Sequence, residues 1–154
     1  MKAQDVGLSR RGALKAGAFA AVATVLAGRL AFADTNAVTA ELKKLYGDKA
    51  MAESKVKLDV PEIAENGMVV PINVEVESPM TDADYVKSIH VFADGNPLPG
   101  VVTYTLTPAC GKAAASTRMR LAQTQNIVCV AEMSNGALHM AKANVKVTIG
   151  GCGG

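Results

Sequence analysis

Between residues 36 and 46 the apolar positions Val38, Leu42 and Leu45 recur at helical spacing, with Glu41, Lys43 and Lys44 on the wet side. This predicts one short helix, capped by Asp34, Thr35 or Asn36 and stopped by Gly47. The period then changes to two. Residues 55–60 alternate as a half-buried strand should, and Pro61 closes them. Asn66-Gly67 signals a turn. Residues 72–77 alternate again, up to Ser78-Pro79. A third strand, 86–93, ends at Asp94-Gly95-Asn96-Pro97. A fourth, 101–107, puts Val102, Tyr104 and Leu106 on one face. A fifth, 116–122, turns Met119 and Leu121 inward and Arg118 and Arg120 outward. Residues 127–133 are apolar on both faces, which predicts a central strand, and Ser134-Asn135-Gly136 makes a hairpin turn. The last strand, 138–149, aligns Val145, Val147 and Ile149 on one side. Seven short strands separated by turns predict an all-β, immunoglobulin-like antiparallel sandwich with a short N-terminal helix. A small barrel and another Greek-key arrangement are the competing architectures.

The first 33 residues read as a targeting segment. Ser9-Arg10-Arg11-Gly12-Ala13-Leu14-Lys15 has the twin-arginine pattern. The apolar stretch 16–28 is too short for a membrane span, which needs about 20 residues. Ala31-Phe32-Ala33 fits a small-x-small cleavage site, so the mature chain is expected to begin at Asp34. An uncleaved anchor helix is the competing reading. The twin-arginine route exports folded proteins, often with a cofactor, yet no cofactor site is visible. Export together with a partner that lacks its own signal is the other reason for such a leader, and it points to an obligate complex in the periplasm. The leader holds five of the 16 basic residues (Lys2, Arg10, Arg11, Lys15, Arg29) and one of the 14 acidic ones (Asp5), leaving 11 basic against 13 acidic, a net of −2. With no basic patch, few aromatics and no tryptophan, nothing suggests nucleic acid.

Three cysteines follow the leader, Cys110, Cys129 and Cys152, and an odd number in an oxidising compartment leaves one unpaired. Cys110 and Cys129 lie 19 apart. A bridge between them would add about 3 kcal/mol, and two independent buried thiols are the alternative. Cys152 stands among Gly150, Gly151, Gly153 and Gly154, beyond the last strand. Glycine confers wide backbone freedom, and from Ile149 the thiol reaches roughly 10 Å. Residues 150–154 therefore read as a flexible carrier arm on the body formed by 34–149. A ragged terminus, half of a disulfide and a lipid attachment site are the plainer readings. His90 and His139 read as surface or partner-facing residues, and the spacings give no zinc site. A copper site built from Cys152 with Met133 or Met140 is the residual metal reading. No acid/base carboxylate pair stands out.

The terminus Val145-Lys146-Val147-Thr148-Ile149-Gly150-Gly151-Cys152-Gly153-Gly154 resembles the end of the SoxY family, the sulfur-carrier subunits of the bacterial thiosulfate-oxidising (Sox) system. Ala64-Glu65-Asn66-Gly67, Ser78-Pro79-Met80-Thr81, Ile89-His90-Val91-Phe92-Ala93, Ser116-Thr117-Arg118 and Ala131-Glu132-Met133-Ser134 extend the resemblance over nearly all of the mature chain. It implies an immunoglobulin-like fold without a catalytic centre or cofactor, and a heterodimer with SoxZ, which lacks an export signal. It implies that Cys152 holds the substrate covalently while SoxXA loads thiosulfate onto it, SoxB hydrolyses off sulfate and, where present, the sulfane dehydrogenase SoxCD oxidises the remaining sulfur. Cys110 and Cys129 depart from the pattern, and a bridge from either to Cys152 would disable the arm. Two other classes compete: an exported adhesive sandwich cross-linked through Cys152, and an enzyme subunit whose active site lies in its partner.

Overall fold

The computed structural model describes residues 35–150. It contains one α-helix, α1 (Thr35–Tyr46), and nine strands: β1 (Met51–Ala52), β2 (Val56–Asp59), β3 (Ile63–Asn66), β4 (Val70–Val76), β5 (Val86–Ala93), β6 (Gly100–Thr105), β7 (Ala113–Met119), β8 (Gln125–Met133) and β9 (Leu138–Ile149). One sheet runs β1-β9-β8-β5-β6, with β3 also on β9, and the other runs β2-β4-β7. The sandwich expected from the alternating pattern is the fold.

The alternation explains the packing. Val70, Ile72, Val74 and Val76 are all buried on one side of β4, and its intervening residues are exposed. They meet Ile89 and Val91 of β5 and Ile127, Cys129, Ala131 and Met133 of β8 in the core between the sheets. β8 is central, as its two apolar faces predict. Its other face carries Val128 and Val130, which pack with Phe92 and Leu138 under Val38 and Tyr46 of α1. A sheet buried on both faces needs such a cover, because apolar side chains on an open face would stay in water.

Helix α1 differs from expectation by one position. The buried stripe is Val38, Leu42 and Tyr46, whereas Leu45 points outward at 47% exposure. Gly47 ends the helix as predicted: its amide bonds the Lys43 carbonyl at 2.8 Å from a left-handed φ of 66°. β1 and β3 are additions to the predicted set, and both pair with β9 in parallel. Among the described residues, no helix is long and apolar enough to cross a membrane.

Candidate functional site

The C-terminal half of β9 is held on both edges. β8 pairs with it up to Val145, and β3 continues on the other edge from Lys146 to Ile149. Thr124 secures the side that β8 has left: its hydroxyl accepts from the Val147 amide at 2.9 Å. Gly67, just after β3, donates to the Ile149 carbonyl at 2.7 Å and accepts from the Leu121 amide at 2.8 Å. One turn thus ties the strand end to the loop after β7.

Gly150 is the last described residue and lies against that same loop. A Cβ built on it would strike the Ala122 carbonyl oxygen, so this close approach requires glycine. Ala122 is itself fixed, since its amide donates to Asn96 Oδ1 at 3.0 Å. Asn96 Nδ2 donates to the Arg120 carbonyl at 2.8 Å, and Gln125 Nε2 donates to Asn96 Oδ1 at 3.0 Å. Asp94 accepts from the Asn126 backbone at 2.8 Å and from its side chain at 2.7 Å. Asp94, Asn96 and Gln125 are all buried, and burial without such partners would be costly. These bonds form a hydrogen-bonded collar beside the last described residue. The predicted attachment residue Cys152, with Gly151, Gly153 and Gly154, lies outside the described residues.

Cys110 and Cys129 are not bridged; both are free thiols. Cys129 points from β8 into the core, while Cys110 is exposed on the short 3-10 turn between β6 and β7. The alternation of β8 gives the physical reason, because it turns position 129 inward and away from the surface that carries Cys110. Burial pushes the Cys129 thiol up to about 12, which keeps it protonated and unreactive.

His90 is half-buried. It stands edge-on to Tyr46 at 5.7 Å and stacks on Phe92 at 6.3 Å, beneath α1. Its ring links Thr103 Oγ1 and Ser88 Oγ, each at 3.2 Å. The Ser88 hydroxyl donates to Glu132 at 3.4 Å, and Lys87 meets the same carboxylate at 3.3 Å. Since the Ser88 hydrogen goes to Glu132, the His90 Nε2–H donates to Ser88 and Nδ1 accepts from Thr103, which fits a neutral ring. Burial lowers the His90 pKa, against the pull of Glu132. The Tyr46 hydroxyl is buried and makes no hydrogen bond; Ser88 lies close enough to oppose the shift but not in bonding geometry. Burial first, then Glu132, raises the Tyr46 pKa to about 12. The signal for this cluster was the shared face of Ser88, His90 and Phe92 along β5. His139 accepts or donates at 3.0 Å to Ser54 Oγ, which ties β9 to the segment after β1.

Met133 and Met140 lie on opposite faces of the large sheet, one in each apolar cluster, and Cys152, which the copper reading pairs with one or the other, lies outside the described residues. Among the described residues, no group of three or more His, Cys, Asp or Glu side chains is placed to hold a metal.

No curated protein matches the chain. Among solved structures, the sulfur carrier protein SoxY from Chlorobium limicola f thiosulfatophilum is similar at 32% identity and a TM-score of 0.63, covering 75% of this chain and 100% of that one. Superoxide reductase (neelaredoxin) from Ignicoccus hospitalis aligns at 16% identity and a TM-score of 0.55, over 61% of this chain and 80% of that one. A superoxide reductase-like protein from Thermotoga maritima aligns at 20% identity and a TM-score of 0.53, over 64% of this chain and 91% of that one. At those identities the two show a shared sandwich and nothing of its chemistry. The model of the family described as sulfur oxidation protein SoxY matches residues 42–152, a span that runs from α1 to the terminal cysteine. The chain belongs to the SoxY family of sulfur oxidation proteins.

Proposed function

We propose that this chain is a periplasmic covalent sulfur carrier. Cys152 holds thiosulfate-derived intermediates and presents them to the enzymes that oxidise them to sulfate. The observation that carries the reading is the anchoring of β9 as far as Gly150, with a thiol two residues further on, inside the span matched by the family. A carrier needs a rigid base and a thin tip. The base is the collar around Gly67, Ala122 and Asn96. The tip is glycine on both sides of one cysteine, which leaves no side chain to obstruct a narrow pocket. A thiolate suits the task, because the bond it forms to sulfur can be broken and remade in each cycle.

On this reading the chain performs no catalysis itself. Export follows the twin-arginine leader of residues 1–33, cleaved after Ala33, in complex with SoxZ. SoxXA, SoxB and, where present, SoxCD dock in turn. Cys152→Ser is expected to abolish thiosulfate-dependent oxidation by the reconstituted system and to leave the urea midpoint unchanged. Protein purified from thiosulfate-grown cells should carry extra mass at Cys152 that reduction removes. Full activity in the variant would overturn the reading, and a lost fold would make the cysteine structural.

A further inference from the structure

Helix α1 covers the outer face of the large sheet with three apolar side chains, Val38, Leu42 and Tyr46. A free helix of 12 residues is marginal in water, so α1 is helical because it is docked. Its charged side chains are engaged elsewhere: Lys43 pairs with Asp48, and Lys44 with Glu41. At its C-terminal end the dock is the Tyr46 ring, edge-on to His90 at 5.7 Å. The Tyr46 hydroxyl is buried there without a hydrogen bond, which weakens the hold.

His90 is wired as a neutral ring. Its Nε2–H donates to Ser88 at 3.2 Å, and Ser88 gives its own hydrogen to Glu132 at 3.4 Å. Nδ1 accepts from the Thr103 hydroxyl at 3.2 Å. A proton arriving at Nδ1 therefore meets a donor, and Thr103 must turn its hydroxyl round to accept. The groups facing the ring are Tyr46 from α1, Ser88 and Phe92 from β5, Thr103 from β6 and, through Ser88, Glu132 from β8. Glu132 is the charged one, and Lys87 at 3.3 Å already shares its carboxylate. Burial opposes the imidazolium more strongly than Glu132 favours it. With α1 away, the ring stands in water and takes a proton at its ordinary value of about 6.5.

We propose that α1 is an acid-released cover: a proton on His90 Nδ1 loosens the Tyr46 contact, and α1 leaves the sheet while the core between the sheets stays folded. Above the ordinary histidine range the docked and undocked rings are both neutral, and the cover is held. Below it the undocked state takes the proton first, so release grows as pH falls until the docked ring is protonated too. The core between the sheets contains no residue of α1, so it can outlast the release. Release bares Phe92, Val128, Val130 and Leu138. The stimulus, though not the device, rests on the carrier reading above. Oxidising one thiosulfate with five waters to two sulfates frees ten protons and eight electrons, the electrons passing to an acceptor such as a haem protein. A carrier serving that reaction sits where the acid is made.

The test is native-state amide exchange on the purified full chain at pH 7.5 and 5.5, with rates corrected for their intrinsic pH dependence. Amides of α1 are expected to exchange through a local opening that low urea leaves unchanged, whereas those of β4 and β8 need an opening that urea promotes. The α1 opening should be severalfold more populated at the lower pH. His90→Gln, which cannot titrate there, should remove that step. Glu132→Gln keeps an acceptor for Ser88 but loses the charge that favours the imidazolium, so it should enlarge the step. Exchange of α1 only together with the core would overturn the proposal, as would a local opening indifferent to pH or a step that survives His90→Gln. Should His90→Gln fail to fold, Glu132→Gln decides alone, and an unchanged or smaller step overturns the proposal. None of these measurements uses Cys152, so they stand or fall apart from the Cys152→Ser assay.

Discussion

Cys129 and Cys110 place the same functional group in opposite surroundings. One is fully buried with a pKa pushed up to about 12, and the other is exposed. In a Cys152→Ser background, iodoacetamide at pH 8 should add one label to the native protein and two after unfolding, read by intact mass. Two labels on the native protein would mean that the core opens around β8. His90 gives the pH dependence. Burial holds its folded pKa below the ordinary value of about 6.5. Above that value both states are neutral and the stability is whole. As pH falls through it, the unfolded chain takes up a proton that the folded chain resists, so stability drops until His90 protonates in the fold. Glu132 shortens that window by favouring the charged ring. Urea midpoints at pH 7.5 and 5.5 should therefore differ, and His90→Gln should flatten the difference. The pattern of residues announced the burial of Cys129, since position 129 falls on an apolar strand. It did not announce His90, because a lone histidine in an alternating strand reads the same whether its face meets solvent or a helix.

Among the elements, β4 and β9 were legible from their alternation, and β5 and β8 from apolar runs closed by turn residues. β1 and β3 were not. They are two and four residues long, and β3 buries only Ala64, so they exist as strands because β9 offers an open edge. The helix was legible in place but not in register, since Leu45 and Tyr46 both satisfy the spacing and only the sheet beneath selects the tyrosine. The collar was invisible for a related reason: Asp94, Asn96 and Gln125 look like turn residues, and their bonds join segments about 30 apart in sequence. Asn96 is its hub. Asn96→Ala would leave the Arg120 carbonyl, the Ala122 amide and the Gln125 side chain short of partners. At about 1 kcal/mol per lost bond, a destabilisation of about 3 kcal/mol is expected in urea unfolding. A loss under about 1 kcal/mol would show that water replaces the side chain freely.

At the scale of the whole molecule, one apolar core lies between the sheets and a second lies beneath α1, and both share β8. The thiol among glycines is read from the sequence alone, since Cys152 lies outside the described residues. Its base was not legible, being assembled from the β3–β4 turn, the β5–β6 turn and the loop after β7. Replacing Gly151 and Gly153 with valine separates tip from base. Labelling of Cys152 by a small alkylating agent should stay near the wild-type rate. Loading by the partner enzyme should fall by several orders of magnitude, since positioning is worth roughly 7–11 kcal/mol. Near-normal rates in both assays would reduce the glycines to a ragged end.

The pairing of β9 on both edges also has a mechanical meaning. An enzyme that grips the terminal cysteine and then withdraws pulls on β9 along its length. The ladders with β8 and β3 run parallel to that pull, so their hydrogen bonds share the load together instead of opening one after another. A strand tugged this way is sheared, not peeled. A carrier arm of the kind proposed would therefore pull on a strand end that resists, and the sandwich behind it would keep its shape.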